Sequence, residues 1–239
     1  MLRLFITSTF GLFLMTGGLA QAPQKDRIST IKQLENVSGW LVPGDNDRRN
    51  YQFTLDGSVK RQGKWSLSVR SLVPNATAPN NTFVQQQINV EAYRNRRVRF
   101  SVFAKTLDVE NVNFWMQISA VNMVVLNDDR MKGRELKGSS DWSRYDIAMD
   151  VPISSSIVVL GVSMTGSGQL WIDDLKFEEV GFDVPVTGHK PGSEIEAGSL
   201  SFIEFYRHDN PEPYEKQLKA AKEKLLTLPK KPVNLDFEN

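Results

Sequence analysis

The chain has 239 residues and a formal net charge of +1 at pH 7, from 29 basic and 28 acidic side chains. This balance argues against nucleic acid as a partner, because nucleic-acid-binding domains carry a strongly basic surface. The sequence contains no cysteine, which excludes disulfides, thiol catalysis and cysteine-bound zinc.

The first 20 residues have the pattern of a signal peptide. Arg3 supplies a positive charge, residues 4–15 are apolar, and Gly18-Leu19-Ala20 places small residues before the predicted cleavage site. The apolar run is about 12 residues long, whereas a membrane-spanning helix needs roughly 20. We therefore predict an exported protein, periplasmic or extracellular, with no membrane span. Residues 21–33 are predicted to form a flexible lead-in.

Residues 34–181 show the period-two alternation that is typical of half-buried β-strands. The alternating or apolar runs are 51–55, 63–69, 83–90, 98–105, 113–120, 145–149, 157–164 and 170–180. The turn Thr165-Gly166-Ser167-Gly168 predicts a hairpin between the last two. This pattern predicts an all-β fold, a two-sheet antiparallel sandwich.

Residues 139–180 also carry an ordered motif that resembles the closing half of the galactose-binding-like jelly roll. Many carbohydrate-binding modules of exported bacterial proteins share this fold. The residues that carry the resemblance are Asp141, Trp142, Tyr145, Ile147, Asp150, Val151, Pro152, Gly166, Gly168, Trp171, Ile172, Asp173 and Asp174. The resemblance implies a jelly roll over residues 34–181, with Trp142 and Trp171 as structural residues.

Catalytic motifs are scarce in this sequence. The two histidines, His189 and His208, lie in the loop-rich tail and away from any serine motif. Asp173 and Asp174 are neighbours in a predicted strand, so their side chains point to opposite faces and cannot flank one glycosidic bond. We predict that the protein is not an enzyme.

The predicted ligand site is a strand face on which Trp115 lies with Asn113 and Gln117. Sugar rings stack on exposed aromatic side chains and need hydrogen-bonding groups beside them. Arg99 and Gln85 would join this site if their strands are neighbours. The sequence therefore predicts a module that binds a carbohydrate or carbohydrate-like ligand.

Three alternatives to this site and function remain open. Trp115 could be covered by a loop or by the C-terminal helix, which would make it structural. The protein could instead be an interaction or accessory module without a sugar site. It could also be a truncated relative of a multidomain hydrolase.

The family resemblance further implies a structural calcium ion. Its ligands would be Glu35, backbone oxygens near residues 63–66, and Asp173. Calcium binds hard oxygen ligands such as these carboxylates and carbonyl groups.

Residues 182–239 lack the alternation that is typical of the preceding strands. We predict a linker at 183–199, a strand at 200–206, and a helix that begins at Asn210-Pro211 and ends near Pro229. The helix has a basic face, which would suit a protein partner with an acidic surface. The last residues, N-L-D-F-E-N, resemble the opening strand of another jelly-roll module. Either the protein descends from a longer multidomain protein, or this tail adds a strand to its own sheet.

Overall fold

The computed structural model describes residues 31–33, 39–41, 50–73, 81–188 and 194–238. The predicted signal peptide and Glu35 lie outside the described residues. The described strands are β1 (Ile31–Gln33), β2 (Tyr51–Asp56), β3 (Ser66–Ser71), β4 (Asn81–Asn89), β5 (Arg97–Ser119), β6 (Val125–Asp129), β7 (Leu136–Asp150), β8 (Ile157–Thr165) and β9 (Gln169–Val180). The helices are a short 3-10 helix (Glu91–Tyr93), α1 (Glu194–Asp209) and α2 (Pro211–Thr227).

Strand β5 is the centre of the fold, because it takes part in both layers of the sandwich. Its first part pairs with β9 as far as Leu107, and its second part pairs with β8 from Asn111 onward. Between these positions Asp108 has a φ of +49°, a left-handed conformation that turns the chain. The strand therefore begins in one sheet layer and ends in the other.

The first layer has the strand order β1-β2-β3-β9-β5, and β7 continues it beyond β5. The second layer has the order β4-β8-β5, and β6 continues it beyond β5. The strand pairs within both layers are antiparallel. The predicted all-β fold, a two-sheet antiparallel jelly-roll sandwich with C-terminal helix, is confirmed.

The core lies between the two layers, where alternate residues of each strand point inward. On β5 the inward residues of the first layer are at most 1% exposed, and those of the second layer are equally buried. They are Val98, Phe100, Val102, Ala104, Phe114, Met116 and Ile118. Trp40 belongs to the same cluster.

The predicted hairpin between β8 and β9 is wrong. β8 pairs with β4 and with the second part of β5, whereas β9 pairs with β3 and with the first part of β5. The glycine-rich turn between them crosses from one layer to the other, and the Tyr51 hydroxyl donates to the Gly166 carbonyl oxygen at 2.8 Å. Alternation in a sequence shows which face a residue takes but not which strand lies beside it.

The predicted strand at 200–206 is also wrong, because these residues belong to α1. Ile203 of α1 and Tyr214 of α2 pack on Val124 and Leu126, beside β6, in a second hydrophobic cluster. A short apolar run does not separate helix from strand, and packing against β6 decides the outcome here. The predicted helix after Asn210 is confirmed as α2, which ends before Leu228.

The C-terminal tail packs against its own sandwich. Phe237 is fully buried and joins the main core, with its ring 5.4 Å from that of Trp40. The alternative that this tail adds a strand to its own sheet is met only in part: the tail packs on this domain, but residues 233–238 contain a turn and no strand.

Candidate functional site

The outer face of the second layer carries a grid of mostly polar side chains. Strands β4, β8 and β5 each contribute three residues to it, and the pairing of the strands aligns these residues in three rows. The rows across β4, β8 and β5 are Phe83, Ser163 and Asn113; Gln85, Gly161 and Trp115; and Gln87, Val159 and Gln117. Four of the five predicted ligand-binding residues therefore lie on one surface.

Gly161 has no side chain, so the middle row of this grid is bare backbone between Gln85 and Trp115; we call this strip, together with the rows on either side of it, the groove. Gln85 on β4 and Trp115 on β5 both lie opposite Gly161, so they stand two strand spacings apart, about 9–10 Å. Glycine is required at this point because a Cβ would clash with the carbonyl oxygen of Val84 on the neighbouring strand. The middle row therefore presents an amide side chain and an aromatic side chain on either side of bare backbone.

Trp115 is half-buried and supported on one side by Arg130, which follows β6. The Arg130 guanidinium lies 5.2 Å from the centre of the Trp115 ring. Arg130 is itself fixed, because it donates to Asp128 Oδ2 at 2.9 Å and to Gln117 Oε1 at 2.9 Å. Since β6 and β8 flank β5 on opposite sides, Arg130 and Gly161 lie on opposite sides of the strand that carries Trp115.

Two acceptor oxygens of this face have no hydrogen-bond partner within the described part of the chain. They are Oδ1 of Asn113 and Oδ1 of Asp128, and both are buried. A buried acceptor without a donor costs free energy, because it has given up its hydrogen bonds to water.

Arg99 does not belong to the groove. It lies on the outer face of the first layer, opposite Glu178 and Ala148, and its guanidinium donates to Glu178 Oε1 at 2.7 Å. The reason is the bend in β5 after Leu107, which sends the two halves of one alternating sequence into different layers. The condition set for Gln85 is not met as stated, because β8 separates its strand from that of Trp115, although both residues lie on the same outer face.

The other tryptophans differ in burial and contacts. Trp171 is buried, and its indole N–H donates to Asp56 Oδ2 at 3.0 Å. Trp65 packs against the core from a partly exposed position, and Trp142 is half-buried on β7.

Asp173, the described member of the predicted calcium pair, faces backbone N–H groups. Its Oδ2 accepts from Arg61 at 2.7 Å and from Gln62 at 3.0 Å, and its Oδ1 accepts from Asp174 at 2.6 Å. Burial raises the pKa of Asp173, although these amides oppose the shift. Amide donors do not fit a cation, and the described residues contain no cluster of three His, Cys, Asp or Glu side chains suited to a metal.

Three groove residues were not found by sequence reasoning. Their position near Trp115 follows only from the register of β8 and from where β6 ends. These residues are Gly161, Ser163 and Arg130. A glycine in the middle of a β-branched run was the available signal, because it marks a bulge or a close backbone approach.

None of the helices in the described ranges is long and apolar enough to cross a membrane.

The chain is similar in sequence to a bacterial regulator and in structure to several solved proteins. No protein-family profile matches it. An uncharacterized HTH-type transcriptional regulator, YbfP of Bacillus subtilis (strain 168), is 32% identical over 173 residues, which are 71% of this chain and 58% of the regulator. The chain thus spans a little over half the length of this relative.

Among solved structures, the enzymatically active domain of bacteriophage CBA120 tailspike protein 4 has a TM-score of 0.48 and 14% identity, over 62% of this chain and 20% of that one. The C-terminal family 22 carbohydrate-binding module of Clostridium thermocellum Xyn10B has a TM-score of 0.43 and 17% identity, over 63% of this chain and 92% of that one. Other similar structures are also carbohydrate-binding modules, of families 4, 16 and 22. The fold assignment itself rests on the strand order and registers.

Proposed function

We propose that the protein is an exported, non-catalytic module that binds a carbohydrate or carbohydrate-like ligand in the groove over Gly161. The observation that carries this proposal is that Trp115 and Gln85 lie on either side of Gly161, which has no side chain. A sugar ring presents apolar C–H groups to an aromatic face and hydroxyl groups to amides. The groove offers both kinds of partner, the Trp115 ring and the Gln85 amide, on either side of Gly161.

The polar groups of the groove suit a ligand rich in hydroxyl groups. Gln85, Gln87, Asn113 and Gln117 supply amide donors and acceptors, and Asn113 Oδ1 is without a donor among the described residues. A hydroxyl group both donates and accepts, so it can pair with either end of an amide. These side chains support recognition of a glycan rather than of a purely apolar molecule.

Binding without hydrolysis is the proposal that fits the charges of this face. The carboxylate that the registers place here is that of Asp128, and it forms an ion pair with Arg130 at 2.9 Å. Glycoside hydrolysis in most families uses two carboxyl groups on either side of the scissile bond. A paired carboxylate at the edge of the groove does not provide that arrangement.

A polysaccharide pull-down with the mature protein tests this function. The wild type should be retained by at least one insoluble or immobilised glycan, and Ser163→Tyr, which fills the groove beside Gly161, should lose retention. Ser143→Tyr is the matched control, because Ser143 is exposed on β7 outside the groove. Equal retention of the two variants, or no retention of the wild type by any glycan, would contradict the proposal.

Export is supported by the pattern of the first 20 residues, and it has a separate test. N-terminal sequencing of the protein recovered outside the cytoplasm should begin at Gln21. A mature protein that keeps Met1 would contradict cleavage.

A second candidate function, protein interaction through the C-terminal helices, is favoured by exposed aromatic residues on α1. Phe202 is 64% exposed and Phe205 is 65% exposed, while Leu226 of α2 is 86% exposed. Apolar side chains at this exposure mark interaction surfaces when they are contiguous. A photo-crosslinking residue at position 205 should capture a partner that the same residue at position 223 does not. Identical crosslinks from both positions would count against this function.

A further inference from the structure

The C-terminal residues 233–238, here called the tail, are bound like a peptide ligand. They contact four parts of the chain that are distant in sequence, which we call the tail seat. The tail seat consists of Gly39, Trp40, residues 63–65, Gln86 on β4 and Leu175 on β9.

The first half of the tail is held through its backbone. The Gln86 side chain accepts from Val233 N–H at 3.1 Å and donates to the Val233 carbonyl oxygen at 2.6 Å. The indole N–H of Trp40 donates to the Asn234 carbonyl oxygen at 3.0 Å. A side-chain amide that makes both bonds to one residue fixes the register of the tail in the seat.

The second half is held by two side chains. Phe237 has no exposed surface and packs on Trp40, and Leu175 N–H donates to the Leu235 carbonyl oxygen at 3.3 Å beside it. The Glu238 carboxylate accepts from the backbone N–H groups of Lys64 and Trp65. Charge-assisted bonds to a carboxylate are stronger than those between neutral groups.

Two glycines make room for the tail. Gly39 has a φ of +83°, and a Cβ there would clash with the Val233 side chain. Gly63 has a φ of +62°, and a Cβ there would clash with the Glu238 carboxylate. Both conformations favour glycine, so the seat is shaped for the side chains at 233 and 238.

We propose that the tail seat is a peptide-binding site that recognises the pattern V-N-x-x-F-E, and that the tail of a second copy of this chain can occupy it. The first copy's own tail fills the site through the connection 228–232, which contains Pro229 and Pro232. In the seat the contacts are non-covalent, so the same tail on another copy makes the same contacts. Only the connection changes course in such an exchange.

The test uses the full chain with a protease site inserted between Lys230 and Lys231, which are both exposed. Cutting the folded protein removes the covalent tether, which otherwise holds the tail at a high effective concentration. A fluorescent peptide of residues 231–239 should then bind with saturable anisotropy and displace the cut tail. Before cutting, the same peptide should bind far more weakly.

Peptide variants distinguish specific recognition from non-specific binding. Phe237→Ala in the peptide should weaken binding by roughly a hundredfold or more, since it empties a buried aromatic position. Lys231→Ala, at an exposed position, is the matched control and should bind like the parent peptide. Equal binding of both variants would overturn the proposal, as would loss of the β-sheet circular dichroism of the protein on cutting. These readouts need no glycan and stand whether or not the groove binds sugar.

Discussion

The guanidinium of Arg130 lies 5.2 Å from the centre of the Trp115 ring, and hydrogen bonds to Asp128 and Gln117 hold it there. This contact supports the ring, and Gly161 lies on the other side of the strand that carries Trp115. Arg130 is therefore a positioning residue for the proposed groove.

Replacing Arg130 by alanine should weaken glycan binding about two- to fivefold. A cation–π contact at an exposed site contributes about 0.5–1 kcal/mol, and 1.4 kcal/mol corresponds to a tenfold change in affinity. Isothermal titration with the glycan that the wild type binds measures the effect. Arg99→Ala removes an arginine from the other layer and should leave the affinity unchanged. If Arg99→Ala weakens binding as much as Arg130→Ala, the ligand does not lie in this groove.

Phe237→Ala should lower the free energy of unfolding by about 3–5 kcal/mol, because it empties a fully buried aromatic site in the core. Urea denaturation gives the value. Phe205→Ala, at a position that is 65% exposed, should change it by no more than about 0.5 kcal/mol. Similar values for the two variants would mean that the tail does not complete the core.

Asp56 links stability to acid pH. Burial raises the pKa of its carboxyl group, but hydrogen bonds from Ser58, Trp171 and Val59 together outweigh burial and lower it below 3.8. A folded pKa below the unfolded one means that this stability is present above pH 3.8 and is lost as the pH falls through the folded pKa.

Asp56→Asn should therefore be about 1–3 kcal/mol less stable than the wild type at pH 7, the range for losing hydrogen bonds to a charged group. The difference should shrink below about pH 4, where the Asp56 carboxylate of the unfolded chain takes up a proton first and that of the folded protein follows at lower pH. Urea unfolding from pH 7 to 2.5 measures it. A difference that stays constant over this range would show that the charge of Asp56 contributes nothing.

A structural calcium ion at Glu35 and Asp173 stays a prediction of the family resemblance. If the ion is bound, a chelator should lower the melting temperature of the wild type, because a ligand of the folded state stabilises it by mass action. Glu35→Ala should start lower and be insensitive to the chelator. If the chelator leaves the melting temperature of the wild type unchanged, the prediction of a structural calcium ion is wrong.

Alternation in the sequence was enough to predict the sandwich and to place Asn113, Trp115 and Gln117 on one outer face. It could not place Arg99, because nothing in the run 97–119 shows that one continuous strand changes layers near Asp108. The groove depends on Gly161 lying between Gln85 and Trp115, which is a matter of strand order. Strand order depends on pairing between strands that are distant in the sequence, and the alternation of residues within one strand does not predict that pairing.

The tail shows the same limit. The motif N-L-D-F-E-N was visible, but its partner was not, since the seat is assembled from residues as far apart as Trp40 and Leu175. Residues 200–206 of α1 were predicted as a strand and residues 194–199 as part of a linker, because Leu200, Phe202 and Phe205 form a short apolar run without a clear period. Packing of Ile203 near β6 resolves that ambiguity in the fold.

Trp115→Ala tests the central claim most directly, when affinity and stability are measured on the same variant. The claim predicts a loss of more than tenfold in glycan affinity, since the stacking contribution of about 0.5–1.5 kcal/mol adds to the lost apolar contact area. It also predicts a fall in melting temperature of no more than about 4 °C, because Trp115 is only half-buried. A fall of about 10 °C with unchanged affinity, the result expected for a core residue, would contradict the claim.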